Sequence, residues 1–277
     1  MGQARQAALG AMLARIIPEV ARAEVEVTRG GKPGSVLQLR QALRRLRVLL
    51  GLLQREAPSP QLADLRDKAR TMTAALGTLR ALDAFRLETL PRARRAGLSR
   101  VYTSRLGARA AAARSEALAE VRVVLASDRL VDFGPQLAAL PAVQAPALVI
   151  TAKTAAPLLR RLHRRMLALG HTLDGSDSEA RHKLRLAGKA LVALAGLIET
   201  DVPLRRRAVK RATALTAAIG SARDREQALA IAAGFAEPEA TTALAATLER
   251  IAGREERRIR RRWKAFRKAP EPAPKRR

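Results

Sequence analysis

Three arginines at helical spacing are the first residues whose types could do chemistry. Arg40, Arg44 and Arg47 are four and three residues apart, and no acid occurs from Ser35 through Arg55. On a helix these spacings place the guanidinium groups one above another, about 5–6 Å apart, where like charges repel. A solvated basic face is the plain alternative, but such faces usually mix their signs. We therefore favour the interpretation that the stripe contacts a phosphate-rich polyanion, which would reverse the repulsion.

A second basic face occurs later in the chain, where His182, Arg185 and Lys189 are three and four residues apart. A lone histidine is more often structural or simply exposed. One turn before an arginine, however, a neutral imidazole can donate a hydrogen bond to phosphate, and a bound polyanion would favour its charged form. All three residues therefore join the candidate phosphate-binding set.

Two further arginines, Arg80 and Arg223, each follow a glycine by three residues and precede an acid by three. For each, an intrahelical ion pair worth about 0.3–0.5 kcal/mol and a phosphate contact are both open. Other basic clusters could add to the site or could be solvated. From these clusters we add Arg161, Arg165 and Arg207 to the candidate phosphate-binding set.

The composition limits the class of partner and argues against catalysis. Lys and Arg number 53 against 25 acids, which gives a net charge of +28. Because such an excess repels itself, it is typical of proteins that bind nucleic acid, polyphosphate or an anionic membrane. The chain has no cysteine, the three histidines lack metal-ligand spacing, and no Walker loop or nucleophile–base pair is visible. We expect a protein that binds without catalysis and without a cofactor or metal.

Helices are the elements predicted to position these residues. Aromatic residues are only 2% of the chain, so Ala, Leu and Val must build the core, a composition that favours helices. In one predicted helix the core face is a leucine stripe, formed by Leu39, Leu43, Leu46, Leu50 and Leu53. Turn and capping signals predict helices over residues 3–26, 35–56 with Ser35 as the cap, 61–90 with a break near Gly77, 97–127, 155–170, about 177–200 capped by Ser176 or Asp177, 203–219, from Ser221 onward, and 237–268.

Two segments recur along the chain and predict an internal duplication. The sequence LGTLRALD at 76–83 matches IGSARDRE at 219–226, 143 residues later, and Leu39-Arg40 matches Leu184-Arg185 at an offset of 145. We predict two helical bundles. The first half covers 1–131, a proline-containing connector covers 132–154, the second half covers 155–268, and 269–277 form a disordered basic tail.

The segments 36–47 (VLQLRQALRRLR) and 181–189 (RHKLRLAGK) resemble the two signature helices of the CHAD family, the conserved-histidine α-helical domain. The glycine-containing repeats fit the elements that follow those helices, and the resemblance extends over about residues 5–268. It implies two bundles related by pseudo-twofold symmetry, with a basic groove between them that binds inorganic polyphosphate. It also implies recruitment to polyphosphate granules, or to the surface of other storage granules.

The sequence departs from the family pattern in both signature helices. Leu37 stands where the first signature histidine is expected, and Ala190 and Val192 occupy basic positions of the second helix. Ala193 replaces an aromatic residue. These departures predict either a weaker second site or a ligand that relies on the first half, and the other basic clusters could compensate.

Two other partners compete with polyphosphate. A nucleic acid fits the charge, although the scarcity of aromatic residues argues against single-strand recognition, which uses stacking. An anionic membrane or granule surface could receive the helix around 254–268 through Ile259, Trp263 and Phe266. No apolar run approaches the ~20 residues of a transmembrane helix, and the N-terminus is predicted to be an amphipathic helix rather than a signal peptide, so we expect a cytoplasmic protein.

Overall fold

The computed structural model describes residues 7–143, 149–150, 152–171, 173, 178–199 and 204–272. This part of the chain is all-α, as predicted, apart from two paired antiparallel strands of two residues, β1 Ala7–Ala8 and β2 Val149–Ile150. The helices are α1 Leu9–Arg29, α2 Pro33–Glu56, α3 Pro60–Ala84, a π-helical turn Phe85–Thr89, α4 Leu90–Arg95, α5 Arg100–Leu125, α6 Phe133–Val143, α7 Ala152–Gly170, α8 Ser178–Ile198, α9 Arg206–Ala233 and α10 Pro238–Arg267.

Helices that follow one another in sequence pack against one another. Helices α1, α2 and α3 do so early in the chain, and α7 to α10 do so later. Contacts also join the early and late helices, because α2 packs on α8, α3 on α9 and α5 on α10. The larger hydrophobic core runs through both sets of helices, and a smaller core lies among α7, α8, α9 and α10. The boundaries of the two halves and the duplication itself stay predictions.

The leucine stripe of α2 fixes which face of this helix reaches other elements. All five of its leucines are at most 1% exposed, which confirms the predicted core face. Burial of a leucine side chain stabilises a fold by roughly 1.5–3 kcal/mol. Rotation of α2 about its axis would expose this stripe, so the neighbouring arginine stripe is held in one direction.

The structure corrects three predicted helix ends. Ser35 does not cap α2, since Pro33 opens the helix and the Ser35 hydroxyl donates back to the Lys32 carbonyl at 3.2 Å. No break occurs at Gly77 or between 219 and 221, because both positions lie inside the continuous helices α3 and α9. Helical structure also continues past Pro91, which occupies the first turn of α4, where a missing N–H is tolerated.

Two predicted features fall partly or wholly outside the described residues. The turn at 174–177 with its two candidate caps is one, and the end of the basic tail at 273–277 is the other. Within the segment predicted as a connector, residues 133–143 form α6. Among the described helices, none is long and apolar enough to cross a membrane.

Candidate anion-binding site

Five cations from three helices form the candidate site. Arg40 and Arg44 come from α2, Arg80 from α3, and Arg185 and Lys189 from α8, and each is half-buried. Their charges repel one another, and the pKa values of Arg40, Arg44, Arg185 and Lys189 are lowered by burial and by this repulsion. We call this set the cationic cluster. It joins residues that the sequence separates by almost 150 positions, because α2 packs on α8 and α3 packs on α2.

The crowding has its largest effect on the pKa of Lys189. Burial, followed by the charges of Arg185, Arg44 and Arg40, lowers the pKa of Lys189 to about 7. Burial also lowers the pKa of Arg40 to about 10, assisted by Arg44, Arg80 and Arg185. The pKa of Arg44 is lowered by burial, by Arg185 and by Arg47. The folded protein therefore holds positive charge here that it neutralises only in part, and an anion in this place would relieve the repulsion.

Few acids offset this charge. In the described part of the chain, no carboxylate lies within ion-pair distance of Arg44, Arg185 or Lys189, and the Arg185 Nε is buried without a hydrogen-bond partner. Arg80 does pair with Glu88 at 2.5 Å. Unsatisfied guanidinium donors are costly in a protein interior but well suited to phosphate oxygens.

Two contacts orient the arginines of the cluster. The Arg40 Nη1 donates to the Thr73 carbonyl of α3 at 2.7 Å, which holds the guanidinium over α3. On the other side, Arg185 lies against Gly220 of α9, where a Cβ placed on the glycine would stand 3.3 Å from the Arg185 Nε. The glycine thus gives the arginine room to lie along α9. This contact explains a role for the second glycine of the repeat, whereas nothing lies within 4 Å of a Cβ placed on Gly77.

Arg47 extends the basic surface along α2, away from α8. Burial lowers its pKa first, and Arg66 and Arg70 of α3 lower it further, while Asp67 opposes them. Sequence reasoning missed Arg66 and Arg70, although their spacing of four residues on a predicted helix was the available signal. The predicted stripe therefore has different neighbours along its length: Arg44 faces α8, Arg47 faces α3, and Arg40 lies close to both helices.

One carboxylate, Asp224 of α9, lies near the cluster and was also missed. Burial raises the pKa of Asp224, and Arg185, Arg80 and Lys189 act in the opposite direction. The signal in the sequence was its place directly after Arg223, inside the repeated segment. Asp224 neutralises part of the charge that a bound anion would otherwise meet.

His182 and Arg223 flank the cluster rather than join its centre. Burial lowers the pKa of His182, and the charges of Arg223, Arg185 and Lys189 lower it further, which favours the neutral imidazole. Arg223 is exposed and lies 3.8 Å from Glu226 one turn later. Such a pair is weak in water, so it leaves the guanidinium available to a ligand.

The intrahelical ion pair with Asp83 that was considered for Arg80 does not form. Its predicted partner, Asp83, is fully buried and pairs with Arg114 of α5 at 2.5 Å instead. The burial of α3 against α5 decides this, because Asp83 lies on the face of α3 that packs inward. The same position in the second repeat, Glu226, accepts from the Ser178 hydroxyl at 3.2 Å.

The remaining basic candidates lie elsewhere on the surface. Arg161 and Arg165 on α7 and Arg207 on α9 are exposed, and none of them is among the charges that shift the pKa values of the cluster. The structure therefore does not bring these three into the candidate site.

The apolar side chains proposed for membrane contact on α10 are already used by the core. Ile259 is 1% exposed and Phe266 is fully buried, packed among α7, α8 and α9. Trp263 lies directly over Gly170 of α7, where a Cβ would overlap its ring. Ile259 and Phe266 therefore cannot insert into a membrane surface, because the fold covers them, whereas Trp263 is half-buried.

Comparisons with known proteins agree on the fold. A family model described as "CHAD domain" matches residues 11–233. The structure is similar to the crystal structure of the CHAD domain from the plant Ricinus communis, with a TM-score of 0.81 and 22% identity over 99% of this chain and 97% of that chain. It is also similar to PptA from Streptomyces chartreusis, with a TM-score of 0.66 and 18% identity over 94% of this chain and 96% of that one. Among curated proteins, none matches the chain.

Proposed function

Because this chain belongs to the CHAD family, we propose that it binds inorganic polyphosphate, without catalysis, in a basic groove where α2 meets α8. One observation carries the proposal: the cationic cluster holds five half-buried cations, and burial together with the charges of three of them lowers the pKa of Lys189 to about 7. Folding opposes such an arrangement, so a bound anion is the simplest reason for it. Since the CHAD family is associated with polyphosphate, we propose polyphosphate as this anion.

The chemistry of the cluster suits a chain of phosphates. Arginine forks can bind two phosphate oxygens at once, and lysine adds a compact point charge. Polyphosphate is thin and densely charged, so a groove between two helices can contact it from more than one side. A nucleic-acid duplex is wider and would meet only one face of the same surface.

The types of residue in the cluster favour binding over catalysis. The cluster consists of four arginines and one lysine, with His182 and Asp224 beside it. Both neighbours have pKa values shifted toward the neutral form by burial. Residues of this kind hold and neutralise phosphate, and we propose no bond-breaking step for them.

A competition experiment tests the proposed ligand. Labelled long-chain polyphosphate is bound to the full chain at physiological salt and is displaced with unlabelled polyphosphate, duplex DNA, RNA or short phosphates. We expect polyphosphate to compete more strongly than DNA at equal phosphate concentration. Equal competition by DNA would favour the nucleic-acid alternative.

Salt dependence tests the mechanism separately. Neutralisation of phosphates on a single-stranded polyanion gives a log–log slope of roughly −0.7 per contact. Five contacts should therefore give a slope of magnitude about 3 or more. An affinity that hardly changes with salt would contradict an electrostatic groove.

Granule association would follow from this binding. A chain that binds polyphosphate would concentrate wherever the polymer accumulates in the cell. A fluorescent fusion should therefore colocalise with stained polyphosphate granules, and it should lose this pattern when Arg44 and Arg185 are both replaced by alanine.

A further inference from the structure

A cavity outside the cationic cluster combines apolar walls with guanidinium groups. It has a volume of about 610 Å³ and lies between the π-helical turn, α4 and α5. Ligand sites usually measure about 300–1,000 Å³. The residues that line it are Arg86, Leu87, Leu90, Pro91, Arg94, Arg95, Thr103 and Gly107.

The floor of the cavity is apolar and open. Leu87 is 57% exposed, although leucine side chains are usually buried. Leu90 and Pro91 continue the apolar wall. Gly107 lies inside α5, where a glycine lowers helix stability relative to alanine. A Cβ at Gly107 would meet only the Leu90 Cδ1, at 3.8 Å, so the absent side chain leaves this space empty.

The rim of the cavity is positive. Arg86, Arg94 and Arg95 all line it, and no carboxylate does so among the described residues. Arg95 donates to the Pro91 carbonyl at 3.3 Å through its Nε, and the residue is exposed. By contrast, the neighbouring Arg92 is paired with Glu255 and does not line the cavity.

From this combination we infer that the cavity binds the free anion of a single-chain fatty acid. The carboxylate meets the guanidinium groups at the rim, and the acyl chain lies along Leu87, Leu90 and the bare backbone at Gly107. The anionic head follows from charge complementarity, and the apolar tail follows from the exposed leucine and the missing side chain. A polyphosphate chain could use the rim but would leave the apolar wall exposed to water. This site is independent of the proposed polyphosphate groove.

Laurate, kept below its micelle concentration, is the probe for this site. Isothermal titration against the full chain should show saturable binding of one laurate per chain. Dodecyltrimethylammonium, which has the same tail and a positive head, should bind at least about tenfold more weakly. Equal binding of the two amphiphiles would overturn the inference, because only the tail would matter. Absence of laurate binding would overturn it as well.

Two substitutions at one position provide a matched pair. Gly107→Leu fills the cavity and should weaken laurate binding at least about tenfold, because several methylene groups lose their apolar contact. Gly107→Ala adds only an ordinary contact with Leu90 and should leave the affinity within about twofold. If Gly107→Leu binds laurate as tightly as the wild type, the assigned cavity is wrong.

A second variant covers the case in which Gly107→Leu does not fold. Leu87→Asp changes an exposed residue and places a charge where the acyl chain is expected to lie, so it should also weaken laurate binding about tenfold. Undiminished binding would overturn the inference. Binding to vesicles of anionic lipid without binding to monomeric laurate would assign this face to a membrane and would overturn it too.

Discussion

Arginine serves two different purposes in two regions of this protein. Near the junction of α4, α9 and α10, the carboxylate of Glu255 is 5% exposed and accepts from Arg92 at 2.5 Å and from Arg225 at 3.1 Å. In the cationic cluster, Arg44 and Arg185 are half-buried and no described carboxylate pairs with either. The two regions share the same residue type and similar burial.

What distinguishes these two regions is the presence or absence of a carboxylate partner, and not the arginine itself. A buried carboxylate turns arginines into structural ties between helices, since each charge satisfies the other. Without such a partner, the same guanidinium group repels its neighbours and has free donors for a ligand. The comparison predicts that substitutions at paired arginines and their carboxylates change stability, whereas substitutions in the cluster change binding.

The largest expected effect belongs to a second buried pair of the same kind, Asp83 with Arg114. Asp83→Ala should lower the free energy of unfolding by about 3 kcal/mol, because it leaves Arg114 partly buried without its carboxylate. Chemical denaturation followed by circular dichroism measures the change. Polyphosphate affinity at a temperature where the variant is folded should stay near that of the wild type. A loss of affinity without a loss of stability would break the comparison.

Within the cluster, Arg44→Ala should weaken polyphosphate binding by about tenfold while stability holds or rises, since the change removes repulsion and alanine favours helices. Arg45→Ala is the control on the same helix. Arg45 pairs with Glu19 of α1 and points away from α8, so its removal should change affinity by less than about twofold.

Thermal shifts with and without polyphosphate test both variants. Equal losses of affinity would mean that only net charge matters. Unfolding of Arg44→Ala would show that Arg44 is structural.

Binding should also depend on pH through Lys189. Its pKa of about 7 in the free protein should rise when a polyanion binds, so binding takes up a proton above pH 7. Affinity should be full below about pH 6 and should fall by up to about tenfold per pH unit above pH 7. The stability of the protein without ligand has the opposite pH dependence. Because the folded protein favours neutral Lys189, it loses stability as the pH falls from 10.5 toward 7.

Titration calorimetry at several pH values measures this coupling. Lys189→Arg is the matched variant, because an arginine stays charged over the whole range and should flatten the profile. A profile that is equally steep in Lys189→Arg would assign the proton to another group.

The smallest expected effect belongs to Asp224. Asp224→Asn removes the carboxylate that offsets part of the cluster and should tighten polyphosphate binding by about threefold. Equilibrium titration against labelled polyphosphate measures the change. Weaker binding would indicate that Asp224 orients Arg185 for the ligand.

Much of the local structure was predictable because it depends on neighbours in sequence. The leucine stripe of α2 and the arginine stripe beside it follow from a period of 3.6 residues. The π-helical turn at 85–89 and the helical passage through Pro91 were not predicted, because helix α5 and the other elements packed there override local signals.

The sequence by itself determined the helical class, the charge and the face of α2 that carries Arg40 and Arg44. Only the tertiary structure decided that α8 meets this face, that Asp83 pairs with Arg114, and that Arg161 stays outside the site. The physical reason is distance along the chain. A helical face is fixed by residues three and four positions apart, whereas the partner of a charge is fixed by which helices pack together, and packing depends on the fit of whole surfaces.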